Sequence, residues 1–365
     1  MRQDGHNVVV YDQFTSPAAV GSGLIVQASG KRVLEALGLC DRLYAMGAPI
    51  KRLYGVSTPS GRRALDVRFT KNIGYGVRRA GLFDLLYECA EKTGVRFEFG
   101  QAVNAIIDQR LVFVNGMQSP RFDLVVDATG LNSPLNDSED AYLEFGAVWM
   151  NVRLRRDNAL GGDTLEQRYY RSSKTIGLLP TGVDPADPTQ NTAALFWSLP
   201  QDDYSTWRDR GVAEWKSEVH ALWPDISPLL DCVSSPDDLI FARYAHRTIS
   251  NPVRRSVVHI GDAWHAASPQ LGQGANMAML DAMALSNAMC DHADLDSALN
   301  DFYQRRRRHV LFYQMISALF TPLYQSHSQI LPVLRDYLLT PLSQLPPAQK
   351  ILARIVSGTL LDSFD

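Results

Sequence analysis

The chain is short of several things, and each shortage removes a class of function. Its four cysteines, Cys40, Cys89, Cys232 and Cys290, stand apart, and no Cys-x-x-Cys pair occurs. That spacing offers neither a disulfide framework nor a zinc site, and it suits reduced thiols in a cytoplasmic protein. No apolar run reaches the roughly 18 residues of a membrane-spanning helix, and no signal-peptide pattern is recognisable. Neither sign of charge dominates: 36 Lys and Arg against 39 Asp and Glu leave −3, so no basic field calls for nucleic acid. Metal-ligand spacings and a Gly-x-Ser-x-Gly elbow are missing, which removes metal and serine-hydrolase chemistry. Internal repeats and low-complexity tracts are missing too. What remains is a globular composition, 45% hydrophobic and 21% charged over 365 residues, with length for a large core or two sub-domains.

A further absence lies at the N-terminus. Val8-Val9-Val10-Tyr11 reads as a buried strand closed by Asp12, and Gly5-His6 reads as the turn before it. This is the look of the second strand in a dinucleotide-binding βαβ unit, whose terminal acid holds ribose hydroxyls. The Gly-x-Gly-x-x-Gly loop belongs about 20 residues before that acid. Only eleven residues precede Asp12, with one glycine among them. The spacing therefore predicts that the first strand, the phosphate loop and most of the first helix are missing, roughly 15–25 residues. Two readings stay open: a gene start set too late or truncated, or a chain that begins here and binds its cofactor poorly or not at all.

The stretch Gly261–Asp281 organises the rest. It runs Gly-Asp-Ala-Trp-His-Ala-Ala-Ser-Pro-Gln-Leu-Gly-Gln-Gly-Ala-Asn-Met-Ala-Met-Leu-Asp, after the apolar Val257-Val258-His259-Ile260. Met277, Leu280, Ala284 and Ala288 follow at helical spacing. The pattern predicts strand, glycine-punctuated loop, helix. Gly261 permits a sharp turn, and Asp262 falls at the strand's C-terminal end, where open α/β sheets bind ligands. An ionised Asp accepts hydrogen bonds only, which suits a polyol such as ribitol. Ser268-Pro269 sets a turn, and Gly272 and Gly274 allow close approach of a flat ligand. The next helix aims its free N–H groups at that loop, where they would stabilise negative charge on a reduced flavin.

This stretch closely resembles the second FAD-binding signature of the class A flavoprotein aromatic hydroxylases, the para-hydroxybenzoate hydroxylase fold. The matched positions are Gly261, Asp262, Ala263, His265, Pro269, Gly272, Gly274, Asn276 and Asp281, with Trp264 where many relatives carry a small residue. The resemblance extends from Val8 to about Phe320. It covers Gly21-Ser22-Gly23 before a helix over Lys31–Leu39, and Arg79 in register with Leu82 and Leu86. It also covers the buried run Asp123–Gly130 ending in Ala-Thr-Gly. In that run Thr129 replaces the usual Asp, and Asn136 stands where an Arg would fall, although Ser133 is present.

The resemblance implies an α/β fold, with a Rossmann-like FAD-binding domain interleaved with a mostly β substrate domain and C-terminal helices. The expected boundaries are 1–142 with 243–292, 143–242, and 293–365. It implies FAD held by Asp12, Arg79, Asp262, Pro269, Gly272, Gln273, Gly274, Ala275 and Asn276, with Pro269 and Gly272 bordering the oxygen site. No protein acid or base is expected. NAD(P)H would reduce FAD, and O2 would react to a C4a-hydroperoxide that oxygenates a small aromatic or polycyclic substrate. His265 is either polar lining or a satisfied structural histidine. The alternatives are an inactive or merely ligand-binding remnant, or another flavin oxidoreductase; a halogenase lacks its Trp-x-Trp-x-Ile-Pro here.

Elsewhere the pattern predicts a hairpin over Val56–Phe69 around Pro59-Ser60-Gly61, a strand end at Pro180 and a loop over Asp184–Gln190. It also predicts core roles for Trp207, Trp215 and Trp223, and a helix pair over Asp296–Tyr324. Arg305–Arg308 reads as a solvated helix face, with anionic lipid or a partner as the other reading. The apolar tail Gln329–Leu361 covers the sheet, lines a dimer contact or touches a membrane, and the chain is a monomer or homodimer.

Overall fold

The computed structural model describes residues 1–17, 21–58, 60–136, 142–154, 160 and 162–361. Pro59, named above, lies outside them. Its largest sheet has seven strands in the order Ile240–Ala245, Tyr142–Arg153, Asp187–Pro200, Lys174–Asp184, Thr164–Tyr170, Arg52–Thr58, Arg63–Arg68. Thr164–Tyr170 and Arg52–Thr58 run parallel, and their neighbours antiparallel. The hairpin Arg52–Arg68, far upstream in sequence, thus completes the sheet of the later segment.

Alternation decides which face is filled. Val148, Met150, Leu195 and Trp197 point to one side, where Trp215 and Val219 of helix Val212–Leu222 and the following Trp223 bury them. Each such large side chain contributes about 1.5–3 kcal/mol by leaving water. Two local expectations are corrected here. The strand Lys174–Asp184 continues through Pro180, because the register shifts between Pro180 and Gly182 and absorbs the missing N–H. Asp184–Gln190 is not a loop: Asp184 pairs with Asp187 across a tight turn, and Asp187–Pro200 is already strand.

The Rossmann-like part consists of parallel pairs in separate sheets. Val9–Tyr11 pairs with Arg96–Glu98, and Val125–Asp127 pairs with Val257–His259. The strand Val9–Tyr11 is half-exposed rather than buried, with Val10 38% and Val126 37% accessible. Each lies on a strand paired on one side only, so neighbours cover it incompletely. A second small antiparallel sheet, Gly23–Val26, Gly74–Arg78 and Ala48–Ile50, brings helix Ala28–Ala36 and helix Arg79–Lys92 together. Gly38, at φ 70°, closes the first of these helices.

Leu295–Tyr324 is one helix of 30 residues, not a pair. The segment contains no glycine, and its single proline, Pro322, falls in the last turn, where an interior break is avoided. Asp294 caps it by accepting the Ser297 N–H. This helix packs on helix Gly274–Asp291, sharing Phe302, Val310 and Tyr313 with Met277 and Leu285. Among the described residues no helix is long and apolar enough to cross a membrane, and no His, Cys, Asp and Glu cluster is arranged to hold a metal.

Candidate active site

The site begins where strand Val257–His259 ends. Gly261 sits at φ 56°, and a Cβ there would stand 3.0 Å from Ala278 Cβ, so the turn demands glycine. Asp262 then opens a short helix, Asp262–His265. The turn is held from beneath by Asp281, which lies on the following long helix. One oxygen of Asp281 accepts the Gly261 N–H at 2.9 Å and meets His265 Nε2 at 2.6 Å. The other accepts Arg306 Nε at 2.8 Å. All these side chains are buried, and Arg306 also donates to His309 Nδ1 at 2.9 Å. Burial pushes the Asp281 carboxyl up, but the charges of His265 and Arg306 and their hydrogen bonds outweigh it and hold the group at about 2. His265 is therefore a structural histidine. Trp264 is buried too, donating to Ile249 O at 3.0 Å and packing on Phe302.

Asp262 itself is solvent-accessible yet deeply surrounded by protein atoms, the signature of a group in a recess. Burial raises its carboxyl pKa, and the nearby charges of His265, Arg79 and Arg247 pull it down. Arg247 also reaches the Asp262 carbonyl at 3.5 Å. Arg79, the first residue of its helix, lies against Gly21, whose Cβ would stand 2.9 Å from Arg79 Cδ at φ 108°. The Asp262 carboxylate thus lies within the influence of two guanidinium groups, those of Arg79 and Arg247.

The loop beyond His265 turns at Pro269–Leu271 and again at Gly272, φ 61°, before helix Gly274–Asp291 begins. Pro269 and Gly274 are exposed, and Gly272 and Ala275 half-exposed. No side chain caps the helix, so its first N–H groups have no partner within the helix. Gln273 and Asn276 turn inward instead. Asn276 donates to Ile25 O and Gly272 O, each at 3.0 Å, and accepts the Gln27 N–H at 2.8 Å. Gln273 donates to Val356 O at 2.5 Å and accepts from Ser29 Oγ at 3.4 Å. These two side chains shape the loop from behind. Asp12 ends the strand Val9–Tyr11 in the separate two-stranded sheet, where its carboxylate accepts the Phe14 N–H at 2.9 Å.

Sequence reasoning passed over three groups. Arg247 carried no pattern, following an unremarkable strand. Arg306 was hidden inside the Arg305–Arg308 run, which is no uniform solvated face: Arg306 is fully buried, Arg305 pairs with Asp291 and Asp301, and only Arg307 and Arg308 are exposed. Asp127 and His259 meet at 2.6 Å, joining two parallel strands at their C-terminal ends. Asp127 also accepts from Ser133 Oγ at 2.5 Å and Thr129 Oγ1 at 2.6 Å. Burial pushes Asp127 up, but hydrogen bonds from His259, Ser133 and Thr129 prevail and bring it to about 2. Thr129 and Ser133 are thereby committed to Asp127, while Asn136 donates to Ala263 O at 3.3 Å, just past Asp262.

An aromatic wall follows from the same chain. Three residues before Arg247, the Tyr244 hydroxyl accepts Trp149 Nε1 at 3.1 Å, and Trp149 lies 4.7 Å from Phe196, ring to ring. All three are partly open, on the face of the large sheet opposite the tryptophan core. Burial pushes the Tyr244 hydroxyl pKa upward, so it stays protonated and keeps its O–H for donation.

The recess fits FAD on its own chemistry. Asp262 offers an acceptor for ribitol hydroxyls, Arg79 and Arg247 offer charge for a diphosphate, and the uncapped N–H groups at Gly274 face a glycine-lined loop. Comparison with known proteins points the same way. The profile of the family described as "FAD binding domain" matches residues 1–314. A 2-heptyl-3-hydroxy-4(1H)-quinolone synthase of Mycobacteroides abscessus is 26% identical over 327 residues, covering 83% of this chain and 80% of that protein. The tetrameric form of 2-methyl-3-hydroxypyridine-5-carboxylic acid oxygenase superposes with a TM-score of 0.79 at 22% identity, covering 97% of this chain and 91% of that one. HpxO of Klebsiella pneumoniae, solved with FAD and uric acid, gives 0.78 at 19% identity, covering 99% and 93%. The chain thus belongs to the FAD binding domain family and, within it, to the class A FAD-dependent monooxygenases.

Proposed function

We propose that the chain uses NAD(P)H and O2 to hydroxylate a small nitrogen-containing aromatic ring at a site between the Asp262 recess and the Trp149–Phe196–Tyr244 wall. The reading is carried by one observation: an accessible carboxylate near the charges of Arg79 and Arg247, with Tyr244 of the aromatic wall three residues before Arg247 in the chain. FAD, when bound, supplies the redox chemistry, accepting electrons from NAD(P)H and activating O2. The protein's part is positioning. Asp262 accepts from the ribitol hydroxyls, and Arg79 and Arg247 neutralise the diphosphate. The Gly274 helix start, Pro269 and Gly272 border the ring system and favour negative charge on it. Asp281 keeps the Gly261–Asp262 turn rigid, which limits the freedom lost on binding. On the substrate side Trp149 and Phe196 offer ring faces, and the Tyr244 O–H donates to a ring oxygen or nitrogen. The substrate class draws support from the relatives, whose names give a quinolone, a hydroxypyridine and uric acid.

The test supplies the FAD-loaded protein with NADH or NADPH and a panel of quinolones, hydroxypyridines and purines, and follows O2 uptake and product mass. The expected result is substrate-stimulated NAD(P)H oxidation with a product heavier by one oxygen atom, and a raised KM for Tyr244→Phe. NAD(P)H oxidation that no ring compound stimulates, with a protein that holds FAD, would instead identify a flavin-binding relative without hydroxylase activity.

A further inference from the structure

The segment after the long helix is built inside out. Leu331–Leu334, a π-helical turn Arg335–Leu339 and Thr340–Ser343 form one helical run. Its polar side chains face the protein. Arg335 pairs with Asp336 at 2.7 Å and donates to Leu323 O, Ser57 Oγ and Arg171 O. Thr340 donates to Ala64 O at 3.0 Å, and Gln344 to Asp66 O at 3.0 Å. Arg335 and Thr340 are five residues apart, and the wider π turn between them brings both to the inner side. The apolar side chains face out: Ile330 is 76% exposed, Tyr337 56%, Leu345 53% and Leu338 48%. The inner hydrogen bonds fix this orientation, so the apolar face is anchored outward.

The charges around that face have one sign. From Ser328 to Arg354 the sole acid is Asp336, which is buried, while Lys350 and Arg354 are exposed. Arg62 lies 4.0 Å over the Tyr337 ring, at the edge of the patch. The adjoining strand adds Arg63 and Arg68, more than half exposed, which share the buried Asp66 with Arg52. One carboxylate thus serves three guanidinium groups, and positive charge is left over in a chain whose net charge is −3.

We propose that this face, Ile330–Leu345 with its basic rim, rests on an anionic lipid bilayer, the apolar side chains entering the headgroup boundary and the basic groups meeting lipid phosphates. On this proposal the face lies on a membrane without spanning it; among the described residues no helix is long and apolar enough to cross one. A second copy is a poorer occupant. Two-fold packing of the patch on itself brings basic rims together without one exposed carboxylate between Ser328 and Arg354 to pair them.

The test is co-sedimentation of the full-length chain with vesicles of phosphatidylcholine alone or mixed with phosphatidylglycerol. Binding is expected with the anionic vesicles at low salt, is released at high salt, and is weak with phosphatidylcholine alone. The double variant L338E/L342E abolishes it, and R62A and K350A each weaken it about fivefold, with circular dichroism and flavin content unchanged. A folded protein that stays in the supernatant with anionic vesicles at low salt would overturn the proposal. So would light scattering that finds a dimer which L338E/L342E turns into monomers, since the face would then be an interface between copies.

Discussion

Replacing Asp281 by Asn isolates the charge beneath the Gly261 turn while keeping the side chain's shape. The variant leaves Arg306, wholly buried, without its counter-ion, and turns an acceptor toward Gly261 N–H and His265 into an amide that can satisfy only part of that set. Breaking a buried ion pair from one side costs about 3–5 kcal/mol. Against a typical stability of about 5–15 kcal/mol, that is a large share. The double variant D281N/R306M removes the stranded charge together with its partner and should recover a good part of the loss, about 1–3 kcal/mol, because Met fills the guanidinium stem's space. Denaturant unfolding of the wild type, both single variants and the double variant gives the coupling directly. A D281N cost below about 1 kcal/mol, or two substitutions that simply add, would show that Asp281 and Arg306 are not coupled.

Three further outcomes follow from the same geometry. Asp127 and Asp281 both sit at about 2, below the ordinary range, so the stability they contribute is complete above about pH 4 and drains away as pH falls toward 2. Acid unfolding of D127N or D281N should show a shallower loss over that window than the wild type. Gly358 stands at φ 78° with a notional Cβ 2.2 Å from Ser29 Oγ. Gly358→Ala should therefore cost about 1–3 kcal/mol in a thermal melt, by pushing the C-terminal segment off Ser29 and Gln273. Arg247→Met, which removes a positive charge beside Asp262, should raise the Kd for FAD by about tenfold in a fluorescence titration, leaving far-ultraviolet dichroism intact.

Much of the site was legible because the turn's chemistry is local. Gly261, Gly272 and Gly274 answer to backbone conformation, and Asp262 follows from its place at the end of a strand. The mostly β character expected over 143–242 is met in the strands Tyr142–Arg153, Thr164–Tyr170, Lys174–Asp184 and Asp187–Pro200. What escaped needed partners distant in sequence. Nothing in Arg305–Arg308 distinguishes the one arginine that turns inward, since its carboxylate lies 25 residues upstream on another helix. Asp127 and His259 meet only when two strands 132 residues apart pair in register. Pro180 looked like a strand end, and the bulge that accommodates it appears only against the neighbouring strand. The tail's composition gave no polarity at all. Its outward apolar face emerges once Arg335 and Asp336 are seen to be buried together.

FAD in the recess around Asp262 is the feature on which the proposed activity depends. The most direct measurement is the visible spectrum of the protein after incubation with FAD and desalting, beside that of Asp262→Ala at equal concentration. Oxidised-flavin bands should stay with the wild type and be largely lost from D262A, since a charge-assisted hydrogen bond of this kind contributes about 1.5–3 kcal/mol. A wild type that emerges colourless, or a D262A that keeps as much flavin, would contradict the account.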